Sequence, residues 1–322
     1  MGRQAVMRVR KTGTMAGVVA GLWMFCLVGA VYANGVVIGN SSTDVGTIVF
    51  VSPKPDDPAL TNGTALLTAL AGLTANANKR YLIKLGPGVY NVGSTAVEMK
   101  AYIDIEGSGE KVTKITGAID GLVSPPSSGT IKGADNAELR FLTVENTSTG
   151  TAVAILNSSA SPSILHVTAT VGGGGNSYGV YNYYSSSTMT NMTTTAVGGG
   201  TNSYGIYNAF SSPILKNCEL SSSGGATNYG IYNYNSSPFL MNVRVTASQY
   251  GIYNFGTSGS FPIYVDRCNI WGGTASISND MAFTTNVGGS MLAGGAVTGG
   301  GTLRCVLSYN GNNYSSLSAT CL

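Results

Sequence analysis

Tyr178-Gly179-Val180-Tyr181-Asn182 is one of four copies of a Tyr-Gly-(Val/Ile)-Tyr-Asn motif, and this repeat decides the fold. The other copies begin at Tyr204, Tyr229 and Tyr250, so the spacings are 26, 25 and 21 residues. A period of roughly 20–50 residues is typical of stacked units that contact only their neighbours along one core. The motif therefore predicts a solenoid.

Two further columns follow the same period. The last residue of the motif belongs to a column of asparagines: Asn157, Asn182, Asn208, Asn233 and Asn254. A second column is mostly apolar: Leu142, Val167, Met192, Cys218, Val243 and Cys268. Because stacked coils place like residues above one another, the amides of an inward Asn column can hydrogen-bond from coil to coil. We therefore expect a structural asparagine ladder.

The segments within one repeat are typical of short β-strands. They are rich in Val, Ile, Thr and Tyr, and Gly-rich turns between them would break a helix. Period-two alternation predicts one face with Ile164, His166 and Thr168 and an opposite face with Leu165, Val167 and Ala169. Strands stacked about 4.8 Å apart give an all-β fold, a single-stranded parallel β-helix, with about ten coils.

One domain is predicted for the mature chain, because a solenoid grows by addition of coils. The parallel β-helix is expected over residues 34–290, with the N-terminal cap and first strands in residues 34–80. A C-terminal segment follows in residues 291–322. Thr64–Leu73 is predicted as a short helix that covers the open end of the β-helix.

The N-terminal region predicts export. Residues 1–15 carry four basic side chains and residues 16–33 are apolar, which indicates a signal peptide over residues 1–33. An uncleaved membrane anchor is the alternative, because the apolar stretch is just long enough to span a bilayer. With cleavage before Asn34, no membrane partner is expected. The destination is then periplasmic, extracellular or the cell surface.

Charge gives no support for a nucleic-acid partner. The formal net charge is +3, from 17 basic and 14 acidic residues. The signal peptide contains four of the basic residues and no acidic one, so the mature chain has 13 against 14, a net of −1. Nucleic-acid binding calls for a basic surface.

Cysteine spacing separates a disulfide from two thiols. Cys305 and Cys321 enclose 15 residues, and a disulfide between them is predicted in an exported protein. Cys218 and Cys268 lie two coils apart in one column, or about 9.6 Å by strand spacing. Since a disulfide needs Cα atoms within about 7 Å, these two are predicted to be buried thiols.

Part of the chain resembles a known family. Tyr81–Tyr90, Ile103–Gly109, Thr113–Gly117 and Phe141–Thr147 resemble the first coils of pectin methylesterases. The repeated coils are similar to those of the pectin-lyase-like superfamily, and the resemblance implies a right-handed parallel β-helix. The resemblance to pectin methylesterases covers about a quarter of the chain. It implies how the fold begins and not an activity, because function depends on the site.

The site is where the chain departs from that family. Those esterases place a glutamine before an Ala-Val-Ala run and two aspartates on the following coils. Here Thr151 precedes Ala152-Val153-Ala154, and Asn157 and the tyrosine motif stand where carboxylates are needed. A nucleophile and a general acid require two titratable groups within reach. We therefore predict no catalytic residue, no metal ligand and no cofactor.

The remaining candidates are a histidine and a column of tyrosines. His166, the only histidine, is predicted to face solvent in a structural role. If Ile and Asn of the motif face inward, the second tyrosines form an outward column: Tyr181, Tyr207, Tyr232 and Tyr253. These rings either stack on one another or form a ligand-binding platform for sugar rings.

Three functional classes follow. The favoured one is an exported, non-catalytic module that binds polysaccharide or packs into an assembly. The second is a carbohydrate-active enzyme related to pectin esterases with a divergent site. The third is a fibre or tailspike-like module that self-associates as a trimer through a sheet face.

Overall fold

The computed structural model describes residues 46–53, 57–121, 127–198, 200–257 and 259–322, and the backbone of residues 36–39. The predicted signal peptide lies outside the described residues. None of the helices in the described part has the length and apolar character needed to cross a bilayer.

The described elements are one helix and 28 strands. In chain order they are β1 (Val36–Gly39), β2 (Thr47–Val51), α1 (Ala59–Ala71), β3 (Tyr81–Leu85), β4 (Gly88–Asn91), β5 (Val97–Glu98), β6 (Ile103–Glu106), β7 (Thr113–Gly117), β8 (Ile131–Lys132), β9 (Glu138–Asn146), β10 (Ala152–Ser158), β11 (Ser163–Gly173), β12 (Ser177–Tyr183), β13 (Thr188–Thr190), β14 (Thr193–Gly198), β15 (Asn202–Ala209), β16 (Ile214–Lys216), β17 (Glu219–Ser223), β18 (Thr227–Tyr234), β19 (Phe239–Met241), β20 (Arg244–Ala247), β21 (Tyr250–Phe255), β22 (Phe261–Asp266), β23 (Asn269–Gly272), β24 (Ala275–Asn279), β25 (Phe283–Gly288), β26 (Met291–Gly294), β27 (Thr302–Val306) and β28 (Tyr309–Asn310).

Each coil has three sides, and like sides stack in parallel. The tyrosine sheet stacks β5, β8, β10, β12, β15, β18, β21 and β24. The second sheet runs from β2 through β13, β16, β19 and β22 to β27, and the third from β4 through β14, β17, β20 and β23 to β28. In β9 and β11 one strand spans the second and third sheets. The predicted all-β parallel β-helix with one short helix is confirmed.

The coil number is smaller than predicted. The tyrosine sheet has eight strands and therefore marks eight coils. A length of about 25 residues per coil had predicted about ten coils for the mature chain. The difference arises at the two ends, because the second sheet stacks eleven strands and the third ten, and their end strands have no counterpart in the tyrosine sheet. The parallel stacking continues beyond residue 290, as far as β28.

From β9 onward, a left-handed residue turns the chain between the second and third sheets in each coil. This corner column has φ between 50° and 55° and contains Phe141, His166, Asn191, Asn217, Asn242, Arg267, Gly289 and Leu307. Three of these are asparagines, a residue that tolerates this conformation better than most. The corner interrupts the alternation of β11.

The prediction of which side chains of β11 point outward was therefore wrong for the residues before the corner. Ile164 is buried in the same core as Val167 and does not share the outward face of His166. His166 does face outward, with 43% of its side chain exposed. A strict period of two cannot be carried through a residue whose left-handed conformation bends the strand.

The asparagine ladder runs through the core in one direction. Asn157, Asn182, Asn208, Asn233 and Asn254 each donate an amide hydrogen to the Oδ1 of the next member, at 2.8–2.9 Å. A sixth asparagine, Asn279, ends the ladder and donates to the carbonyl oxygens of Phe283 and Thr302. At the other end, the buried Oδ1 of Asn157 has no hydrogen-bond partner. Stacked amides satisfy polar groups that would otherwise be buried at a cost.

The motif glycine is required by close approach of neighbouring coils. A Cβ on Gly179 would lie 2.5 Å from the carbonyl oxygen of Gly205, and one on Gly205 would lie 2.5 Å from that of Gly230. Real Cβ atoms are not found so near a backbone oxygen, so only glycine fits. This close contact between neighbouring coils explains why all four copies of the motif have glycine at this position.

Helix α1 covers the early coils as predicted, with different bounds. The helix begins after Pro58, five residues before the predicted start, and buries Leu66 and Leu70. Gly63 permits this position, because a Cβ there would lie 1.8 Å from the carbonyl oxygen of Asn91. The apolar face of the helix thus closes over β4, as the exposed edge of a solenoid requires.

The cysteines are placed as the sequence predicts. Cys305 and Cys321 form a disulfide with a Cα–Cα distance of 5.1 Å. Cys218 and Cys268 are free and buried. Burial raises the pKa of each free thiol to about 11, so neither is a reactive thiolate near neutral pH.

Asn208→Ala tests the ladder. The change removes the acceptor of Asn182 and the donor to Asn233, and each orphaned buried group should cost about 1–3 kcal/mol. Urea unfolding followed by circular dichroism measures the loss. Asn269→Ala is the matched control, since Asn269 lies on a strand outside the ladder. Equal losses in the two variants would contradict a special contribution of the stacked amides.

Thiol titration tests the cysteine assignment. The mature chain should show two free thiols in denaturant, from Cys218 and Cys268, and almost none when folded, because both are buried. After reduction the denatured chain should show four. Two reactive thiols in the folded protein would contradict the core position of this pair.

Candidate functional site

Two tyrosine columns, not one, face outward from the tyrosine sheet. The predicted column of second tyrosines lies outside the core, as expected, because Val180 and Asn182 point inward and are fully buried. The first tyrosines of the motif also point outward: Tyr178, Tyr204, Tyr229 and Tyr250. Strict alternation of side chains along a strand would place these first tyrosines on the inward face, together with Val180 and its equivalents. The motif glycine breaks the alternation, so sequence reasoning did not assign this column.

The tyrosine rings stack along each column and meet edge to face between columns. Tyr181 and Tyr207 have ring centroids 4.7 Å apart and planes within 5°. Tyr178 and Tyr204 are also 4.7 Å apart, within 6°. Between the columns, Tyr178 and Tyr181 meet at 5.2 Å and 75°. Each such pair contributes about 0.5–1.5 kcal/mol beyond area burial. The ring faces are therefore turned towards other tyrosines.

Burial by neighbouring rings makes the tyrosines hard to ionise. Only 7% of Tyr178, 4% of Tyr181 and 7% of Tyr204 is exposed. The pKa of Tyr207 is raised to about 12, mainly by burial and further by repulsion from Tyr234 and Tyr229. The pKa values of Tyr181 and Tyr232 are also raised, again first by burial. The neutral phenol is the form that this surface stabilises.

More exposed aromatic residues border the columns where the sheet turns. Tyr184 is 55% exposed and stacks on Phe210, with ring centroids 4.8 Å apart. Phe255 is 39% exposed and lies beside Tyr234. The six strands β10, β12, β15, β18, β21 and β24 contain no charged residue. The surface is thus aromatic, hydroxyl-bearing and uncharged.

The positions that carry catalysis in pectin methylesterases have other roles here. Thr151 lies just before β10, where its backbone N–H donates to the carboxylate of Asp120 at 3.0 Å. Asn157 belongs to the buried ladder. Neither position supplies a titratable side chain to the tyrosine sheet. No group of three or more His, Cys, Asp or Glu within the described residues could hold a metal ion.

Carboxylates do cluster on the second sheet, but basic partners occupy them. Glu106 accepts hydrogen bonds from Lys84 and from Arg140, the latter at 2.7 Å, and Arg140 also pairs with Glu138. Burial opposes ionisation of Glu106, yet these two cations hold its pKa below the usual value. Burial raises the pKa of Asp104. The ionised, paired state of Glu106 suits a structural network better than proton transfer.

The histidine lies in a polar setting that the sequence did not predict. Nδ1 of His166 is 3.8 Å from the carboxylate of Glu110, and Nε2 is 3.0 Å from the side-chain amide of Asn191. Asn191 occupies the next position of the corner column, 25 residues on. That spacing is visible in the sequence, whereas the approach of Glu110 from an earlier loop is not.

Comparison with known proteins supports the fold. A scan against protein-family models and a search of curated proteins each found no match. The A-module of mannuronan C-5 epimerase AlgE4 from Azotobacter vinelandii is 15% identical, with a TM-score of 0.50 over 77% of this chain and 71% of that one. Pectin methylesterase PemA from Erwinia chrysanthemi is 14% identical, with a TM-score of 0.48 over 84% and 91%. The chain therefore shares the parallel β-helix fold of the epimerase module.

Alkaline unfolding tests the packing of the tyrosines. A phenol whose pKa is higher in the folded chain than in the unfolded chain contributes stability that is fully present below the unfolded-state pKa. This contribution is lost as the pH rises through the folded-state pKa. For Tyr207 the window runs from about pH 10 to about pH 12. We expect the free energy of unfolding to fall across this window, and to fall less steeply in Tyr207→Phe. Tyr314→Phe, at a residue 78% exposed, is the control and should change nothing.

Proposed function

We propose that the protein is an exported, non-catalytic β-helix that binds a neutral polysaccharide along its tyrosine sheet. The observation that supports this function is the uncharged double column of tyrosines bordered by the exposed rings of Tyr184, Phe210 and Phe255. Aromatic residues with hydroxyl groups offer sugars both apolar contact and hydrogen bonds, and an exposed aromatic surface commonly marks a binding face.

The stacking restricts how a sugar chain could be held. Because ring faces in the columns contact other rings, a ligand would meet ring edges and hydroxyl groups there. Open ring faces are offered by the bordering residues, of which Tyr184 is the most exposed. The coil repeat supplies equivalent contacts about every 4.8 Å along the axis, which suits a ligand that itself repeats. The epimerase module with the same fold belongs to an enzyme named for a polysaccharide, mannuronan.

Export and a non-catalytic role have separate support. The Cys305–Cys321 disulfide is typical of proteins in an oxidising compartment. The tyrosine-sheet strands β10 to β24 contain no carboxylate that could serve as nucleophile or general acid. Self-association through a sheet face stays a prediction, and the variants described next bear on it.

Paired tyrosine variants test the binding face. Tyr207→Phe with Tyr232→Phe keeps both rings in their stacks and removes two hydroxyl groups, whereas alanine would also unstack the neighbours. On a panel of immobilised polysaccharides, the double variant should be retained more weakly on the matching polymer. Each lost hydrogen bond should weaken binding by about 0.5–1.5 kcal/mol, or about two- to twelvefold. Tyr264→Phe, on the second sheet and 47% exposed, should bind as the parent does.

The same panel separates the alternatives. Unchanged retention in the double variant would leave the tyrosines with structural stacking alone. Release of product from any polymer, abolished by changing one carboxylate, would show an enzyme. A change in sedimentation of the double variant without any polysaccharide would instead indicate that this face joins copies of the chain.

A further inference from the structure

A second candidate site lies on the corner column, away from the tyrosine sheet. Each coil has three sides, and this corner joins the two that are not the tyrosine sheet. A cavity of about 720 Å³ opens there. Its lining includes Glu110, Lys111, Phe141, Thr143, His166 and Thr168.

The side chains that line the cavity and hold it in place come from four successive coils. The hydroxyl of Thr168 donates to the Glu110 carboxylate, and the hydroxyl of Thr143 donates to the Glu110 backbone carbonyl. The imidazole of His166 stacks on Phe141 with ring centroids 5.3 Å apart. Asn191 holds the ring nitrogen that points away from Glu110. These contacts fix the side chains before any ligand arrives, which lowers the entropy cost of binding.

The arrangement favours binding over catalysis. Both threonine hydroxyls already donate to Glu110, so neither donates to His166 as an activated nucleophile would. The second imidazole nitrogen is engaged by Asn191. Ligand-binding capacity remains in the further lone pairs of the Glu110 carboxylate and in the exposed ammonium of Lys111.

The composition of the cavity indicates the class of ligand. Glu110 and Lys111 contribute one charge of each sign, so the cavity has no net attraction for an ion. Phe141 and Val112 provide apolar surface between the polar groups. Apolar walls with a few fixed donors and acceptors are typical of small-molecule pockets. We propose that this cavity binds a neutral sugar, at a site separate from the tyrosine sheet and independent of binding there.

The lone histidine provides a direct reporter. Because the chain contains one histidine, its imidazole C–H groups give a single set of NMR signals in protein prepared without a histidine tag. Cellobiose, maltose and lactose are the neutral probes, and digalacturonate is the acidic comparison. At least one neutral disaccharide should shift the His166 signals saturably, while digalacturonate should have a weaker effect.

Variants assign the response to the cavity. Glu110→Gln should weaken the affinity about ten- to hundredfold, because hydrogen bonds to a charged acceptor are stronger than those to an amide. Lys111→Met, at an exposed position, gives a second test that leaves the Glu110 contacts intact. Glu219→Gln is the matched control, since Glu219 lies in the same outward column as Thr168, two coils on. Glu219→Gln and the paired Tyr207→Phe, Tyr232→Phe variant should both respond as the parent does.

Three outcomes would overturn the proposal. The first is no shift of the His166 signals with any neutral disaccharide. The second is an unchanged affinity in both Glu110→Gln and Lys111→Met. The third is a stronger response to digalacturonate than to every neutral probe. Loss of the response in the tyrosine variant alone would place the sugar on the tyrosine sheet and not here.

Discussion

The spacing between stacked strands governs this molecule. Successive coils lie about 4.8 Å apart, and a residue in one coil meets its equivalent in the next. Tyrosine centroids in the two columns recur at 4.7–5.4 Å, and the ladder amides are joined at 2.8–2.9 Å. Rings and amides can stack at this repeat because each has complementary surfaces above and below. The glycine of the motif allows that approach, since a Cβ would strike the next coil.

This constraint also arranges the two surfaces on which function is proposed. On the tyrosine sheet it turns ring faces towards each other and leaves edges and hydroxyls for contact. On the corner it places His166 directly above Phe141 and next to Asn191. One surface is uncharged and extended, and the other is a cavity with one carboxylate and one ammonium. They need not serve the same ligand.

The sequence predicted the features that repeat and missed those that depend on a single loop or turn. The solenoid, the inward asparagines and the outward second tyrosines follow from a fixed period. The first tyrosine column was not assigned, because the glycine after Tyr178 disturbs the alternation on which the facing argument rests. Ile164 was placed on the wrong face for a related reason, the left-handed turn at His166. The approach of Glu110 to His166 joins residues 56 apart through a non-repeating loop, and no sequence period could indicate it.

The direction of the asparagine ladder has a consequence for how such a protein can change its length. Every internal member accepts from the coil before and donates to the coil after, so a duplicated coil would bring one acceptor and one donor and leave no new group unpaired. The two ends are different. One coil before Asn157 stands Gly133, which has no amide side chain to donate, and a Cβ there would lie 2.2 Å from the unpaired Oδ1. At the other end, backbone carbonyls accept from Asn279. Coils can therefore be gained or lost between these ends at little cost in hydrogen bonds, and the near-identical motifs are the segment where such changes would be tolerated best.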